Sequence, residues 1–332
     1  MRGLRIAAAL TGLGALLCAG PARALLPPEP QAEETPVVAR SAVALALLER
    51  AAQLAHAQSW RATERVLSLA SGAPVVTVAE VQHGIDGHGA VDALDPRLFS
   101  LLASHYELLL AGQGICDGHR AQVVEVRRPG SSRALVGRFW VDVRSGLVLR
   151  REVLDDAGAL LRRTDLLDVR VATPAATLST GLTASPPLGE RLDAAELAAV
   201  EATGVPVVRT LPGHLDLYDA RRLPGDVLQL AYSDGLSTLS LFVQRGAMPA
   251  TATGVVRTVG GGQVWQSPGE PERVVWSADG RTWTLVSDAA PAVVDEVLLV
   301  LPHTRRQVGE DGVAPRVWRG MSRVGSWLNP FA

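Results

Sequence analysis

Apolar and polar residues alternate along the chain between residues 106 and 171. In the sequence GRFWVDV, for example, Phe139 and Val141 alternate with Arg138 and Asp142. A period of two places successive side chains on opposite faces of a strand. The turn sequences AGQGICDG, RSG and DDAG separate the alternating segments. The pattern therefore predicts an antiparallel meander with one buried face.

Two helices and two further strands are predicted around the start of this meander. Apolar residues at helical spacing favour a helix over residues 41–58, and strands follow at residues 60–69 and 75–82. Asp95 and Pro96 have the composition of a helix start, which predicts a second, short helix. This half of the chain thus has about seven strands and two helices. A twisted meander with helices on one face closes only part-way into a barrel, and we expect its uncovered apolar surface to form a cleft.

A second β-rich region follows a Thr-, Pro- and Ala-rich segment, which we interpret as a linker over residues 173–204. This linker carries one short helix near residues 193–202. Beyond it, short strands flank the sequence SDGLS, whose composition is typical of a hairpin turn, and a helix near Asp288 closes the region. The sequence predicts a first domain over residues 41–172 and a smaller second domain over residues 205–303.

The beginning of the sequence predicts export. A basic start, an apolar run and the sequence PARA have the order of a secretory signal peptide over residues 1–24. The apolar run is about a dozen residues, whereas a membrane-spanning helix needs roughly 20, so an uncleaved membrane anchor is the less favoured alternative. A Pro- and Glu-bearing segment over residues 25–40 is expected to be a flexible arm. Cys116 is the only cysteine after the predicted signal peptide, so an intramolecular disulfide is not expected.

The final segment, residues 304–332, has a different character. If its second half is helical, Val317, Met321, Val324 and Leu328 form an apolar stripe with arginines beside it. Such a helix suits contact with a membrane surface or with a partner. Packing against its own domain is the alternative.

Few residues suggest catalysis or metal binding. His83, Asp86 and His88 are the tightest group of ligand-type side chains, but they lie in a Gly-rich segment where a solvated loop is the simpler interpretation. The sequence contains no HExxH pair and no GxSxG turn. We therefore expect no catalytic residues, no metal and no cofactor, and a protein that is not an enzyme. The net charge of −2 argues against a nucleic-acid partner.

The predicted strands also supply the apolar residues that would line the expected cleft. An apolar cleft of this kind suits an acyl chain, so we expect a lipid or acylated ligand. The candidate contact residues are Trp60, Phe139, Val141, Leu147, Leu149 and Val153. Each of them is also consistent with ordinary core packing, which is the commoner role of such residues.

Particular residues in both regions resemble the MucB/RseB family of sigma-factor regulatory proteins. In the first region the similarity lies in YELLLAGQGICDGHRAQVVEVRRPG, in the strand with Trp140 and Asp142, and in the GLVLR strand with its following D-x-x-G turn. In the second region, LPGHLDL and YSDGLSTLSLFVQRG are similar to the second domain of the family. The resemblance covers about residues 41–172 and 205–303.

The resemblance implies an α+β fold with a LolA-like N-terminal antiparallel half-barrel, helices in its concavity, and a smaller β-rich α+β C-terminal domain. It also implies a negative regulator of an envelope-stress sigma factor in the periplasm or extracytoplasmic cell envelope. Such a regulator binds a transmembrane anti-sigma factor, shields it from a protease and responds to a lipid-like signal. A lipid or lipoprotein carrier of the cell envelope is the alternative. The candidate partner-binding residues lie around the SDGLS turn: Tyr232, Ser233, Asp234, Gly235, Leu236 and Phe242.

Overall fold

The first domain contains the two helices and seven strands that the sequence predicts. The computed structural model describes residues 37–69, 74–83, 96–130, 133–171, 189–246, 248, 254–267 and 271–303. The elements of the first domain are α1 (Val37–Ala57), β1 (Trp60–Ser68), β2 (Val75–His83), α2 (Pro96–His105), β3 (Glu107–Cys116), β4 (His119–Arg127), β5 (Leu135–Asp142), β6 (Val148–Leu154) and β7 (Leu160–Val171). Among the described helices, none combines the length and the apolarity that a membrane span requires.

The seven strands form one antiparallel sheet in the order β2-β1-β7-β6-β5-β4-β3. Because β2 and β3 do not pair with each other, the described strands form an open half-barrel. Helix α1 packs on β3 and β5, and α2 packs on α1. We call the sheet face under these helices the inner face; on it, Leu108, Phe139 and Val153 cluster with Leu48 of α1 and Leu102 of α2. The predicted α+β class and half-barrel are confirmed.

The turn before β4 is shorter than the sequence AGQGICDG suggested. Strand β3 continues through a bulge at Gly112, and only Asp117 and Gly118 form the turn. Their φ angles of 47° and 76° meet the requirement of a two-residue type I′ hairpin, for which Asp-Gly is a preferred sequence. Gly114 also lies within this strand. A glycine is favoured there because the Trp140 ring packs against it, and a Cβ atom would lie 3.1 Å from Trp140 Nε1.

The second domain is built on a larger sheet. Its elements are β8 (Glu190–Arg191), α3 (Ala194–Ala202), β9 (Thr210–Leu211), β10 (Leu215–Leu223), β11 (Val227–Ser233), β12 (Thr238–Arg245), β13 (Val255–Val259), β14 (Gly262–Ser267), β15 (Glu272–Ala278), β16 (Arg281–Ser287) and α4 (Pro291–Val300). The strand order is β13-β14-β15-β16-β12-β11-β10-β8, with β9 also on β10. Trp276 and Trp283 stack at its centre with ring centroids 6.0 Å apart. The expected smaller β-rich α+β domain is confirmed.

Residues 190–202, which the sequence analysis assigned to the linker, pack with the second domain. Strand β8 pairs with β10, and Leu192 and Leu197 are buried in the second core. The predicted short helix is present as α3, where Asp193 and Glu196 form a capping box. Within the described residues the second domain therefore begins at least fifteen residues before residue 205. The Ala-rich composition concealed this boundary because it offers few large apolar residues.

Several predicted features lie outside the described residues. They are the signal peptide over residues 1–24, the tail over residues 304–332, and Asp86 and His88 of the Gly-rich loop. The predicted arm over residues 25–40 overlaps α1, because that helix begins at Val37.

Candidate functional site at the contact between the two domains

The six residues proposed to line an apolar cleft are all buried. They form two neighbouring clusters: Phe139, Val141 and Val153 pack with α1 and α2, and Trp60, Leu147 and Leu149 pack with residues of β1, β2 and β7. In this arrangement the inner face is covered, which corrects the expectation of an exposed cleft. The role of these residues in ligand contact stays a prediction.

The residues proposed to face a partner are buried as well. Tyr232 and Phe242 lie within the second sheet, Ser233 ends β11, and Asp234, Gly235 and Leu236 lie in the turn between β11 and β12. We call residues 233–237 the hairpin tip. Because the hairpin tip is buried, direct contact with a partner would require a different domain arrangement, and the assignment of a partner surface stays a prediction.

Its own hydrogen bonds hold the hairpin tip in one conformation. Asp234 Oδ1 accepts hydrogen bonds from the backbone N–H groups of Leu236 and Ser237, at 2.8 and 2.6 Å. Ser233 Oγ accepts from the N–H of Gly235 at 2.8 Å and donates to the Ser237 carbonyl at 2.7 Å. Gly235 has a φ of +89°, which residues with a side chain rarely adopt. The SDGLS sequence therefore makes the hairpin tip a rigid extension of the second sheet.

The hairpin tip inserts into the first domain. Leu236 is only 2% exposed and belongs to the core cluster of the inner face. A Cβ atom at Gly137 of β5 would lie 2.9 Å from Leu236 Cδ1, and a Cβ atom at Gly235 would overlap the backbone of Leu102 in α2. Both glycines are needed for this close approach, since the interior is packed without spare volume. The second domain thus completes the cover over the inner face.

Polar contacts surround Leu236 at the same interface. The Tyr106 hydroxyl donates to Asp234 Oδ2 at 2.6 Å. Arg151 of β6 pairs with the Asp288 carboxylate at 3.4 Å and also donates to the Leu236 carbonyl. The side chains of Arg151 and Asp288 are 2% and 0% exposed. The two domains are therefore joined by charged and polar groups withdrawn from water.

Burial changes the ionisation of these groups. It raises the pKa of Asp234, and the hydrogen bonds from the Ser237 backbone and the Tyr106 hydroxyl offset this only in part. Burial also raises the pKa of Tyr106, and the neighbouring Asp234 carboxylate raises it further. The pKa of Arg151 is lowered by burial, against the attraction of Asp288. The closed interface therefore disfavours the charged form of each group, a cost that is relieved when the group returns to water.

A more exposed set of contacts joins α2 to β10. Arg97 donates to the Tyr218 carbonyl at 2.7 Å and lies 3.6 Å from Asp219. His105 Nε2 lies 3.0 Å from Asp216 Oδ2. The side chains of these pairs are between 10% and 46% exposed. Exposed pairs contribute little to stability, so the buried contacts around Leu236 dominate the interface.

Sequence reasoning missed Arg151, although the pattern contained a signal for it. The residue lies between Leu149 and Val153 at a spacing of two, directly opposite Phe139 in the β5–β6 pairing. An arginine on the apolar face of a strand needs a buried partner. The alternation therefore pointed to a buried carboxylate, but it could not identify Asp288, which lies 137 residues further along the chain.

The described residues contain no group of three or more His, Cys, Asp or Glu side chains placed to hold a metal ion. His83, the described member of the loop group, is buried and stacks on Trp60 with centroids 6.2 Å apart. Cys116 is buried, and its burial raises the pKa of the thiol. Packing therefore accounts for both side chains.

A separate cavity of about 240 Å³ lies in the second domain. Leu228 and Val243 are among its apolar lining residues, and Arg222 and Arg245 are among its charged ones. Leu228 lies near the start of β11, whereas the hairpin tip lies at the end of this strand. The cavity is thus distinct from the inner face, and it is smaller than the roughly 300–1,000 Å³ of most small-molecule sites.

Comparison with solved structures finds a crystal structure of MucB that is 21% identical, with 80% of this chain and 99% of that chain covered and a TM-score of 0.48. The Pseudomonas aeruginosa MucA/MucB complex is 20% identical, with 79% and 99% covered and a TM-score of 0.47. An outer membrane lipoprotein-sorting protein domain from Vibrio parahaemolyticus is 11% identical, with 40% and 94% covered and a TM-score of 0.21.

The sequence itself was also compared with protein families and with curated proteins. No curated protein matches it. The family model of the MucB/RseB N-terminal domain matches residues 49–187, which include most of the first domain. Residues 49–187 are therefore a MucB/RseB N-terminal domain.

Proposed function

We propose that this protein is an extracytoplasmic negative regulator of an envelope-stress sigma factor. It binds the extracytoplasmic segment of a transmembrane anti-sigma factor and shields that segment from the protease whose cut would release the sigma factor. The family membership of the first domain supports this function. The predicted signal peptide supports its location in the periplasm or the extracytoplasmic cell envelope.

The signal to which the regulator responds is a lipid or another acylated molecule. The inner face supports this assignment, since Phe139, Val141 and Val153 give it the apolar side chains that an acyl chain would contact. Because the inner face is covered in the arrangement described above, the ligand binds only after part of the cover has moved. Binding of the signal is therefore coupled to a rearrangement.

One observation carries this proposal: Leu236 of the second domain is packed into the core of the first. A ligand on the inner face and the closed domain arrangement therefore exclude each other. If the anti-sigma segment binds the closed arrangement, each ligand weakens the binding of the other by the same factor. A coupling of roughly 1–3 kcal/mol, or 5–150-fold, is typical of such linkage.

The residues around the SDGLS turn act in this proposal by setting the domain arrangement. Ser233, Asp234, Gly235 and Leu236 hold the closed form, and Tyr232 and Phe242 support the two strands that carry them. The partner then recognises the closed pair of domains. The tail over residues 304–332 would add a contact with the membrane surface next to the anti-sigma factor.

Protection of the anti-sigma segment from proteolysis tests the proposed function. The chain, purified after export, is mixed with the extracytoplasmic segment of the anti-sigma factor encoded beside it, and a site-specific protease is added. We expect slower cleavage with the protein than without it, and faster cleavage again when an acylated ligand is added. Equal cleavage with and without the protein would contradict the regulatory function. Ligand binding without any protection would favour a lipid carrier instead.

A further inference from the structure

We infer that the hairpin tip occupies the inner face of the first domain, so that an acyl ligand and the hairpin tip compete for the same apolar surface. This inference rests on the proposed lipid response and assigns control of that response to the hairpin tip. The hairpin tip has an apolar residue, Leu236, at the position where it meets the first domain. The closed arrangement is therefore the self-inhibited state of the ligand site.

The geometry of Leu236 leaves no room for a second occupant. If Gly137 carried a Cβ atom, that atom would lie only 2.9 Å from Leu236 Cδ1. Gly137 pairs directly with Val153 in the sheet. Val153 and Phe139 belong to the same cluster as Leu236. An acyl chain that reaches these side chains must therefore displace Leu236. The exchange replaces one apolar group by another, so the inner face stays out of water throughout.

The remaining contacts of the hairpin tip suit a reversible closure. Opening would return Asp234, Arg151 and Asp288 to water, which recovers the cost of burying their charges. The attraction between Arg151 and Asp288 would be lost at the same time, and these two contributions oppose each other. Apolar burial of Leu236 is then the contribution that decides between the closed and the open arrangement, and it is the contribution that an acyl chain can replace.

Withdrawal of the hairpin tip would move the whole second sheet. The tip is held by hydrogen bonds among Ser233, Asp234 and Ser237, and both of its strands pair along their length with neighbours in the sheet. It cannot fold back alone without breaking these bonds. Ligand entry therefore changes the arrangement of the two domains, and an anti-sigma segment that binds both domains would detect this change.

The test uses the full chain, purified after export, and the fluorescent acyl probe 11-(dansylamino)undecanoic acid. Probe affinity is measured for the wild type, for Leu236→Ala, which removes the apolar occupant, and for Gly137→Ala, which crowds it from the first domain. Leu228→Ala is the matched control, because this residue lies in the same hairpin but lines the separate cavity. Hydrogen exchange of the Leu236 and Ser237 amides reports whether the tip is seated, and circular dichroism verifies folding.

We expect Leu236→Ala and Gly137→Ala to bind the probe about tenfold more tightly or better, since a larger fraction of molecules is open. The probe should also speed exchange of the two tip amides in the wild type, and Leu228→Ala should bind as the wild type does. A probe that binds while the tip amides stay protected, with unchanged affinity in Leu236→Ala and in Gly137→Ala, overturns the inference and leaves the lipid response standing. Altered affinity in Leu228→Ala alone places the ligand in the separate cavity and also overturns it. No binding to any variant removes the lipid response itself.

Discussion

Arg151 of the first domain and Asp288 of the second form an ion pair, 3.4 Å apart, whose side chains are 2% and 0% exposed. Each residue supplies the charge that its partner's buried position requires. Arg151 also donates to the Leu236 carbonyl, so the pair lies beside the hairpin tip. The domains of this protein are therefore matched to each other chemically as well as in shape.

Loss of this arginine should be far more costly than loss of a surface arginine. Arg151→Ala leaves the Asp288 carboxylate buried opposite an alanine, and we expect it to lower the free energy of unfolding by about 3–5 kcal/mol. Arg209→Ala is the matched control, because Arg209 pairs with Glu201 at 3.0 Å while the two side chains keep 60% and 37% of their exposure. The control should cost about 1 kcal/mol or less. Urea denaturation measures both, and equal costs would contradict the structural role of the buried pair.

Alanine at Gly235 should separate the two domains, whereas alanine at Gly225 should not. Both glycines have positive φ, +89° and +84°, but a Cβ atom at Gly225 meets nothing within 4 Å. Gly225→Ala should therefore cost only the roughly 1–2 kcal/mol of a left-handed backbone. Gly235→Ala adds the overlap with Leu102, for which about 1–3 kcal/mol more is expected. Hydrogen exchange of the Leu236 amide should rise in Gly235→Ala alone; protection equal to that of Gly225→Ala would show that the tip is not packed against α2.

The raised pKa of Asp234 predicts how the closed form depends on pH. In the open form this carboxyl has its ordinary pKa near 3.8, and burial raises it in the closed form. Its stabilising contribution is thus fully present below about pH 3.8 and is lost as the pH rises through the higher pKa of the closed form. The titratable and charged groups near it include Tyr106, Asp288, Arg151 and Arg128.

Asp234→Asn removes this titration while keeping a side-chain oxygen for the tip amides. We expect the difference in unfolding free energy between the variant and the wild type to grow in favour of the variant from pH 4 to pH 7. Urea denaturation at a series of pH values gives this difference. A difference that does not change with pH would mean that Asp234 is not the titrating group.

Much of the first domain was predictable from the sequence because its strands have one buried face. The alternation around Phe139 and Val153 located β5 and β6, and the Asp95-Pro96 signal located α2. The extent of β3 was not predictable, since Gly112 and Gly114 have the composition of a turn but are required by a bulge and by the Trp140 ring. Glycine has several structural roles, and only tertiary packing distinguishes them.

The candidate site was only partly predictable, for a related reason. Alternation shows that Phe139 faces an apolar surrounding, but it cannot show whether the covering atoms come from a helix, a ligand or another domain. Leu236 looked like an exposed turn residue because hairpin turns usually lie on the surface. It is instead part of the first core, and no local pattern records a contact between positions so far apart in the chain.

The affinity of the anti-sigma segment, measured with and without a saturating acyl ligand, tests the central claim most directly. If lipid and partner bind opposed domain arrangements, the ligand should weaken binding of the segment by 5–150-fold, and the segment should weaken ligand binding by the same factor. An unchanged affinity with the ligand demonstrably bound would contradict the account.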